Sequence, residues 1–366
     1  MPAAHDVVVI GGGAVGAACA RELAVRGRRP LVLDPGAPGS AWEAAGGMLA
    51  PQIEADGADP LFELGLAGRD RYRDLAAELL EDTGIDIGLW NEGIAQLATD
   101  EQQIPELKSK VAWQRQQGYL CDWLDAAEAR DRWPWTGPAF GALWAPHDGA
   151  LDPTSLVRAL RADAERRGAR LVADGATRIE HQDGRVTAVV GADRYPTQHV
   201  VIAAGAWSGR IEGLPRPLSV EPVRGQMVAL PWPAEIPRAV LYNRDCYLLA
   251  RGSEALAGST MEFAGFDTAV TSQGVERILA CLATLCPPLS GVRPLRTWAG
   301  LRPVTPDGLP IVGPAPGLDG LWYATGHGRN GILLAAITGL IISQLVAREP
   351  THEDVSLLSP ERYWRW

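Results

Sequence analysis

The chain contains few cysteines and no excess of positive charge, and both absences narrow its possible functions. Its 366 residues include five cysteines, which are scattered and form no CxxC pair. An odd number of scattered cysteines predicts reduced thiols and a cytoplasmic protein. No spacing of ligand residues in the sequence predicts a metal site. The formal net charge is −10, from 44 acidic and 34 basic residues, which disfavours a nucleic acid as partner.

The sequence also has no apolar run long enough to predict a membrane span. The most apolar stretch, residues 332–347, is shorter than the roughly 20 residues that a span requires, and it includes Thr338 and Gln344. Residues 1–6 lack the basic and apolar regions of a signal peptide. We therefore predict a core helix at 332–347 in an ordinary soluble protein, and we leave open whether the chain forms a homo-oligomer.

A glycine-rich turn between a strand and a helix lies near the start of the chain. Residues 7–10 are apolar and β-branched, residues 11–16 are GGGAVG, and a helix-forming stretch follows over 17–26. A second strand, 30–33, ends at Asp34, about 20 residues after the glycines, as in the dinucleotide-binding βαβ fingerprint. An acidic residue at that point can accept hydrogen bonds from a ribose hydroxyl.

Each glycine of this turn has a physical role in holding a dinucleotide. Gly11 allows the tight turn, Gly13 lets the backbone approach a pyrophosphate, and Gly16 lets the helix pack closely on the strand. Ala14 and Val15 lie between these glycines and are candidate cofactor-binding residues, and the start of the helix that follows offers free N–H groups and a partial positive charge to phosphates. Taken alone, the motif would make NAD the default cofactor and the protein an NAD-dependent dehydrogenase.

The order of elements predicts a mixed α/β fold with two interleaved domains. A Rossmann-like nucleotide-binding domain is interleaved with a smaller antiparallel-sheet substrate domain. We assign residues 1–88, 146–218 and 297–366 to the first domain, and residues 89–145 and 219–296 to the second. Helices are predicted at 60–82, 101–117, 125–132, 153–167 and 272–286, and a single strand at 239–250.

Five segments of the chain resemble the FAD-dependent D-amino-acid oxidase family. They are VVIGGGAVG at 8–16, AGGMLAP at 45–51, VIAAGAWS at 201–208, WAGLRP at 298–303 and GHGRNGILLA at 326–335. The second and the last two are the most specific, and the resemblance extends over essentially the whole chain. Within the family, the chain is most similar to the glycine oxidases of thiamine biosynthesis.

The resemblance implies an extended FAD cofactor. The turn at 11–16 would hold its pyrophosphate, and Asp34 its adenosine ribose. Segment 45–48 would lie against the flavin, and segment 328–333 would place a helix N-terminus at the edge where reduced flavin is negatively charged. The further cofactor-binding residues that it implies are Ala45, Gly46, Gly47, Met48, Ala204, Gly205, Trp207, Gly300, Arg302, Gly328, Asn330, Gly331, Ile332 and Leu333. Relatives with covalent flavin have a cysteine just before a Thr-Pro-Asp segment; residues 305–307 here follow no cysteine, so we expect non-covalent FAD.

Arg302 is the strongest candidate for substrate binding. It lies in the otherwise uncharged stretch 297–305, so it either pairs with an internal carboxylate or awaits that of a ligand. The resemblance favours the second interpretation, a bidentate pair with an amino-acid carboxylate. Arg329 is a second candidate at the site mouth, and Tyr247, or nearby Tyr242, resembles the tyrosine that assists carboxylate binding.

Two further side chains are candidates for the substrate pocket. By resemblance Met261 forms an apolar wall, and His327 either faces the flavin or is a hydrogen-bonded core histidine.

The resemblance implies oxidative deamination of a small amino acid or amine acid, such as glycine, sarcosine or a small D-amino acid. Hydride would pass from the α-carbon to flavin N5, and oxygen would be the acceptor. The products would be the 2-oxo acid, ammonia or an amine, and hydrogen peroxide. A flavin dehydrogenase that reduces a quinone or another acceptor remains an alternative, as does a flavoprotein without turnover in a biosynthetic complex. A related tRNA-modifying oxidase activity is disfavoured by the acidic charge.

Overall fold

The computed structural model describes residues 5–55, 57 and 60–363. Its strands are β1 (Val7–Ile10), β2 (Pro30–Leu33), β3 (Met48–Leu49), β4 (Ile94–Leu97), β5 (Asp122–Asp125), β6 (Gly141–Ala145), β7 (Gly149–Ala150), β8 (Arg170–Val172), β9 (Arg178–Gln182), β10 (Arg185–Val190), β11 (Arg194–Pro196), β12 (Val200–Ile202), β13 (Glu221–Pro231), β14 (Val240–Tyr242), β15 (Tyr247–Arg251), β16 (Glu254–Gly258), β17 (Arg296–Val304), β18 (Ile311–Pro314) and β19 (Leu321–Thr325). Its α-helices are α1 (Ala14–Val25), α2 (Ala41–Ala44), α3 (Pro51–Glu54), α4 (Phe62–Thr83), α5 (Gln103–Gln116), α6 (Ala126–Arg132), α7 (Pro153–Arg166), α8 (Ser272–Leu285) and α9 (Gly331–Val346).

A six-stranded sheet, in the order β18-β19-β12-β1-β2-β8, holds the glycine-rich turn. Its pairs are parallel except β18 with β19. The strands are apolar throughout because both faces are covered: helices α1, α4, α7 and α9 contribute to the core on one face, and the small sheet β11-β10-β9 to the core on the other. The turn therefore lies at the carboxyl end of β1, in the middle of the sheet, where α/β folds bind ligands.

An eight-stranded sheet, in the order β17-β13-β16-β15-β14-β4-β6-β5, forms a second layer. Helix α8 packs on it through an apolar stripe that includes Ile278 and Leu282. Strand β17 pairs along its length with β13, and Arg302 lies opposite Val223. The second sheet thus includes residues 296–304, whereas the sequence division ends the substrate domain at 296. The division into domains stays a prediction.

The predicted helices are present, with ends that shift by a few residues, but the single strand predicted at 239–250 is wrong. The chain turns there between β14 and β15. The Asn243 side-chain oxygen accepts hydrogen bonds from the backbone N–H groups of Asp245, at 2.9 Å, and Cys246, at 2.8 Å. These bonds replace ladder hydrogen bonds and close a turn that has neither glycine nor proline.

Helix α9 is the core helix that the apolar stretch predicts. Together with the preceding turn, residues 328–346 are long and apolar enough to cross a membrane, but 72% of the most apolar window is buried inside the protein. The helix packs on α1 and α4, and Gly339 contacts the backbone of Ala18 so closely that a Cβ would overlap it.

The prediction of reduced thiols is wrong for two of the five cysteines. Cys246, at the β14–β15 turn, and Cys281, on α8, form a disulfide with their Cα atoms 6.4 Å apart. The two residues are 35 positions apart, and nothing in their local sequence marks them as partners. Cys19, Cys121 and Cys286 are free and buried. The cytoplasmic location therefore stays a prediction, without the support of reduced thiols.

Alkylation of the unfolded protein without a reductant is expected to modify the three free cysteines only. After reduction, all five should react, because unfolding exposes them. Peptide mass spectrometry separates the two results. Modification of Cys246 and Cys281 before reduction would contradict the disulfide.

Candidate active site

A cavity of about 1100 Å³ is lined by residues of both large sheets, with the glycine-rich turn at one part of it and Arg302 at another. Every site residue predicted from the sequence lines this cavity except Gly16. Residues from almost every part of the chain therefore meet in one place.

The glycine-rich turn is packed so tightly that larger residues would not fit. Gly11 has a φ of +96°, and a Cβ there would overlap the carbonyl oxygen of Ala203. A Cβ on Gly16 would overlap the carbonyl oxygen of Gly11, which explains why Gly16 shapes the turn without lining the cavity. Helix α1 begins at Ala14, three residues before its predicted start, and has no side-chain cap. Its first N–H groups are thus open to a phosphate.

Asp34 ends β2 at the cavity wall and is paired with a residue that the sequence did not reveal. Arg161, on α7, forms an ion pair with the Asp34 carboxylate, and its Nε donates to the carbonyl oxygen of Gly12 at 2.8 Å. The other oxygen of Asp34 accepts from the Gly36 N–H at 3.1 Å. Arg161 therefore fixes the carboxylate beside the turn.

At the predicted flavin end of the cavity, the backbone of β17 passes close to Ala44, and the N-terminus of helix α9 is uncapped. A Cβ on Gly300 would lie 2.5 Å from the Cβ of Ala44, so β17 can pass this segment only as glycine. Helix α9 begins at Gly331, and no described side chain caps it. A large cavity that is lined by two uncapped helix N-termini, with glycines where side chains would intrude, fits an extended FAD.

His327 and Met261 differ sharply in burial. His327 is buried and its Nε2 lies 3.1 Å from the Thr338 hydroxyl oxygen, which matches the hydrogen-bonded core histidine. Burial lowers the pKa of His327 to about 4, so the ring is neutral at physiological pH. Met261 lines the cavity with 61% of its surface exposed, at the mouth rather than in an enclosed wall.

Arg302 reaches the cavity across the neighbouring strand. Its guanidinium lies over Gly225 of β13, where any Cβ would overlap it. Nη1 donates to the Thr260 carbonyl oxygen at 3.0 Å and Nη2 to the Ser259 hydroxyl oxygen at 2.6 Å. Within the described part of the chain, no carboxylate forms an ion pair with Arg302. Burial lowers the pKa of Arg302, because a cation without an anionic partner is poorly solvated there. Of the two interpretations left open by the sequence, the structure favours a ligand's carboxylate.

The two candidate tyrosines lie side by side in the cavity, with ring centroids 5.5 Å apart. The Tyr247 hydroxyl donates to the Met227 sulfur at 3.2 Å and lies 2.5 Å from where a Cβ on Gly46 would be. Burial raises the pKa of both tyrosines, so both hydroxyls stay protonated. They can act as hydrogen-bond donors but not as bases near neutral pH.

Glu54 completes this group, although nothing in the sequence pointed to it beyond its position three residues after the 45–51 segment. Its Oε1 lies 3.0 Å from Nη2 of Arg329 and accepts from the Tyr242 hydroxyl at 2.6 Å. Arg329, unlike Arg302, thus already has an internal carboxylate partner. The negative charge of Glu54 raises the pKa of Arg329.

A buried carboxylate holds the short helix α3, which carries Glu54. Oδ2 of Asp148 accepts from the backbone N–H groups of Gln52, at 3.0 Å, and Ile53, at 2.9 Å. Its Oδ1 lies 3.0 Å from Nη1 of Arg69. Asp148 therefore satisfies the first turn of α3 from another part of the chain and fixes the position of Glu54.

The sequence model of the DAO family, which is described as FAD dependent oxidoreductase, matches residues 6–345. The chain belongs to the DAO family of FAD-dependent oxidoreductases. The oxidoreductase is 36% identical over 367 residues to the glycine oxidase of Geobacillus kaustophilus (strain HTA426), with 98% of this chain and 97% of the relative covered. The crystal structure of glycine oxidase from that species matches with a TM-score of 0.92 at 35% identity, over 97% of this chain and 98% of the other.

Two further relatives differ in name. The oxidoreductase is 33% identical to the bifunctional protein ThiO/ThiG of Trichormus variabilis, over 99% of this chain but only 55% of that longer protein. The structure of iminodiacetate oxidase from Chelativorans sp. BNC1 matches with a TM-score of 0.89 at 27% identity, over 97% of this chain and 98% of the other. The oxidoreductase is an FAD-dependent enzyme of the amino-acid oxidase type, so the predicted fold class and FAD cofactor are confirmed and the NAD-dependent alternative is excluded.

Proposed function

We propose that the enzyme oxidises a small amino acid with one carboxylate, such as glycine, sarcosine or a small D-amino acid. The observation that carries this proposal is the half-buried Arg302 guanidinium, which lines the cavity and has no ion-pair partner among the residues described. A guanidinium in this setting gains most from a planar carboxylate, which it can bind through two parallel hydrogen bonds. Similarity to glycine oxidases supports a small amino acid as the ligand.

In the proposed reaction, the protein acts mainly by positioning. FAD, when bound, supplies the two-electron acceptor. Arg302 would hold the substrate carboxylate, with the Tyr247 hydroxyl as a second donor, and so direct the αC–H bond toward the flavin end of the cavity. Fixing this orientation can contribute several kcal/mol, about 7–11 in the best intramolecular cases. The overall reaction consumes the amino acid, oxygen and water, and yields the 2-oxo acid, hydrogen peroxide and either ammonia or, from an N-substituted substrate such as sarcosine, an amine.

No proton acceptor is required of the enzyme if the amine arrives neutral. His327 is neutral, but its Nε2 is already engaged with Thr338. Tyr242 and Tyr247 stay protonated because burial raises the pKa of each hydroxyl. The substrate's own ammonium should therefore dominate the pH dependence, and activity should rise with pH as that ammonium loses its proton.

Anaerobic flavin bleaching tests the proposal. The purified yellow enzyme is mixed, without oxygen, with glycine, sarcosine, D-alanine, D-proline and a bulky D-amino acid, and absorbance near 450 nm is followed. Bleaching by one or more of the small substrates is expected. If none of them reduces the flavin while carboxylate ligands still bind, the proposed class of small amino-acid substrates is wrong.

The acceptor is tested separately, by admitting oxygen to the reduced enzyme. We propose oxygen, so rapid recovery of the yellow colour with one hydrogen peroxide formed per flavin is expected. Slow recovery in oxygen but fast recovery with a quinone analogue would identify a dehydrogenase instead.

A place in thiamine biosynthesis is part of the same proposal, supported by similarity to the bifunctional ThiO/ThiG protein.

The flavin is expected to leave the protein intact on acid precipitation, because we propose non-covalent FAD. The free cysteines Cys19, Cys121 and Cys286 do not line the cavity, and Cys246, which does, is in the disulfide. After precipitation, the supernatant should contain all the absorbance near 450 nm. Colour that stays with the precipitated protein would show a covalent link.

A further inference from the structure

Arg302 and Arg329 differ in that only the Arg329 guanidinium has an ion-pair partner in the described structure. Arg302 and Arg329 both line the cavity. The charges of Arg329 and Glu54 both act on the Arg302 guanidinium. Glu54 pairs with Arg329 at 3.0 Å, whereas Arg302 donates only to uncharged oxygens of residues 259 and 260. These three groups therefore carry one net positive charge, which matches one substrate carboxylate.

Glu54 is also held where it is, so it cannot easily turn away to make room for a second anion. Its side chain is 17% exposed, and its Oε1 accepts from Tyr242 as well as pairing with Arg329. Helix α3 beneath it is fixed by the two backbone hydrogen bonds to Asp148. The Arg329 side chain is 59% exposed, which leaves it reachable if its partner is removed.

We infer that Glu54 is a specificity-determining residue that excludes substrates with a second carboxylate. It neutralises Arg329 and places a negative charge where the second carboxylate of a dicarboxylic amine would lie. Without Glu54, the Arg329 guanidinium would lose its ion-pair partner and would line the cavity together with Arg302, a pattern that suits a dicarboxylate such as iminodiacetate or D-aspartate. This inference rests on the proposed function only for the assignment of Arg302 to the first carboxylate. Like-charge contacts of this kind discriminate against wrong partners more than they add affinity for the right one.

The test compares two substrates that differ only in the second carboxylate. Sarcosine is N-methylglycine, and iminodiacetate is N-carboxymethylglycine. In Glu54→Gln, the amide oxygen can still accept from Tyr242 but the negative charge is gone. We expect the ratio of kcat/KM for iminodiacetate to that for sarcosine to rise at least roughly tenfold, about 1.4 kcal/mol, with a larger rise at low salt because Arg329 is partly solvated.

Three further variants fix the interpretation. Glu54→Asp keeps the charge and should keep the low wild-type ratio. Glu54→Gln combined with Arg329→Gln should lose the gain, because the guanidinium that Glu54→Gln frees is then removed. Glu106→Gln removes an exposed carboxylate that also lines the cavity but has no recorded contact with Arg329, and it should leave the ratio unchanged.

Ligand binding supplies a readout independent of turnover. The dissociation constants of acetate and malonate, followed by the change in flavin absorbance, should show the same relative gain for malonate in Glu54→Gln. If the wild-type enzyme oxidises none of the amino acids, the proposed function fails while this binding test still decides the role of Glu54. An equal loss for sarcosine and iminodiacetate in Glu54→Gln would overturn the inference and indicate that Glu54 recognises the amine. An unchanged ratio in a folded, flavin-loaded variant would also overturn it.

Discussion

The Arg302→Ala variant is expected to oxidise small amino acids with a kcat/KM roughly 30- to 5000-fold below that of the wild type. The basis is the loss of a desolvated, charge-assisted pair, which costs about 2–5 kcal/mol when one partner is truncated. Arg302 has no ion-pair partner in the described structure, so its removal leaves no buried protein carboxylate uncompensated. The loss should therefore appear in catalysis and carboxylate binding rather than in folding.

Steady-state kinetics, together with the dissociation constant of acetate, check this expectation. Arg302→Lys should fall between the wild type and alanine, because an ammonium keeps the charge but not the planar, two-point contact. Arg296→Ala is the matched control: Arg296 lies on the same strand, pairs with Glu254 at the surface and does not line the cavity. An Arg302→Ala enzyme that binds acetate as the wild type does would disprove the substrate role of Arg302.

The Asp148→Ala variant is expected to lose about 3–5 kcal/mol of the free energy of unfolding, the usual cost of breaking a buried ion pair. The Asp148 side chain is fully buried, and Arg69 is 9% exposed. Truncation leaves the Arg69 charge without its buried partner and the N–H groups of Gln52 and Ile53 without acceptors. Because these groups anchor α3, the position of Glu54 should loosen as well.

Denaturant unfolding of the FAD-loaded enzyme measures the loss. Asp122→Ala is the control, because Asp122 also pairs with an arginine, Arg115, but both side chains are more than half exposed. Surface pairs of this kind contribute about 0–1 kcal/mol. If Asp148→Ala and Asp122→Ala unfolded at the same denaturant concentration, the proposed anchoring of α3 would be wrong.

Local signals in the sequence located the part of the cavity assigned to the pyrophosphate and ribose of FAD, because the residues that form it are contiguous in the chain. The strand, glycine turn, helix and Asp34 occupy residues 7–34, and each step depends on neighbours in the chain. The family resemblance then supplied Arg302 and the start of α9. Neither source revealed Glu54 or Arg161, whose partners lie 275 and 127 residues away and are set by long-range packing.

Predictions from local sequence patterns failed where the contacts of particular side chains, rather than the strand or helix propensity of a segment, determine the structure. The stretch 239–250 has strand character on both sides of Asn243, and the hydrogen bonds of that one side chain help to divide it into two strands. The disulfide between Cys246 and Cys281 could not be predicted for a related reason. It depends on the packing of α8 against the turn, which no spacing of cysteines encodes.

The interleaving of the six-stranded sheet has a consequence for how the protein is made. Strand β1 is synthesised before the other strands of its sheet, but the sheet is completed only by β18 and β19, near residue 325. The cavity is closed later still, by the start of α9. A nascent chain therefore carries its glycine-rich turn long before it can retain a flavin, and cofactor capture must wait until the start of α9 has been synthesised.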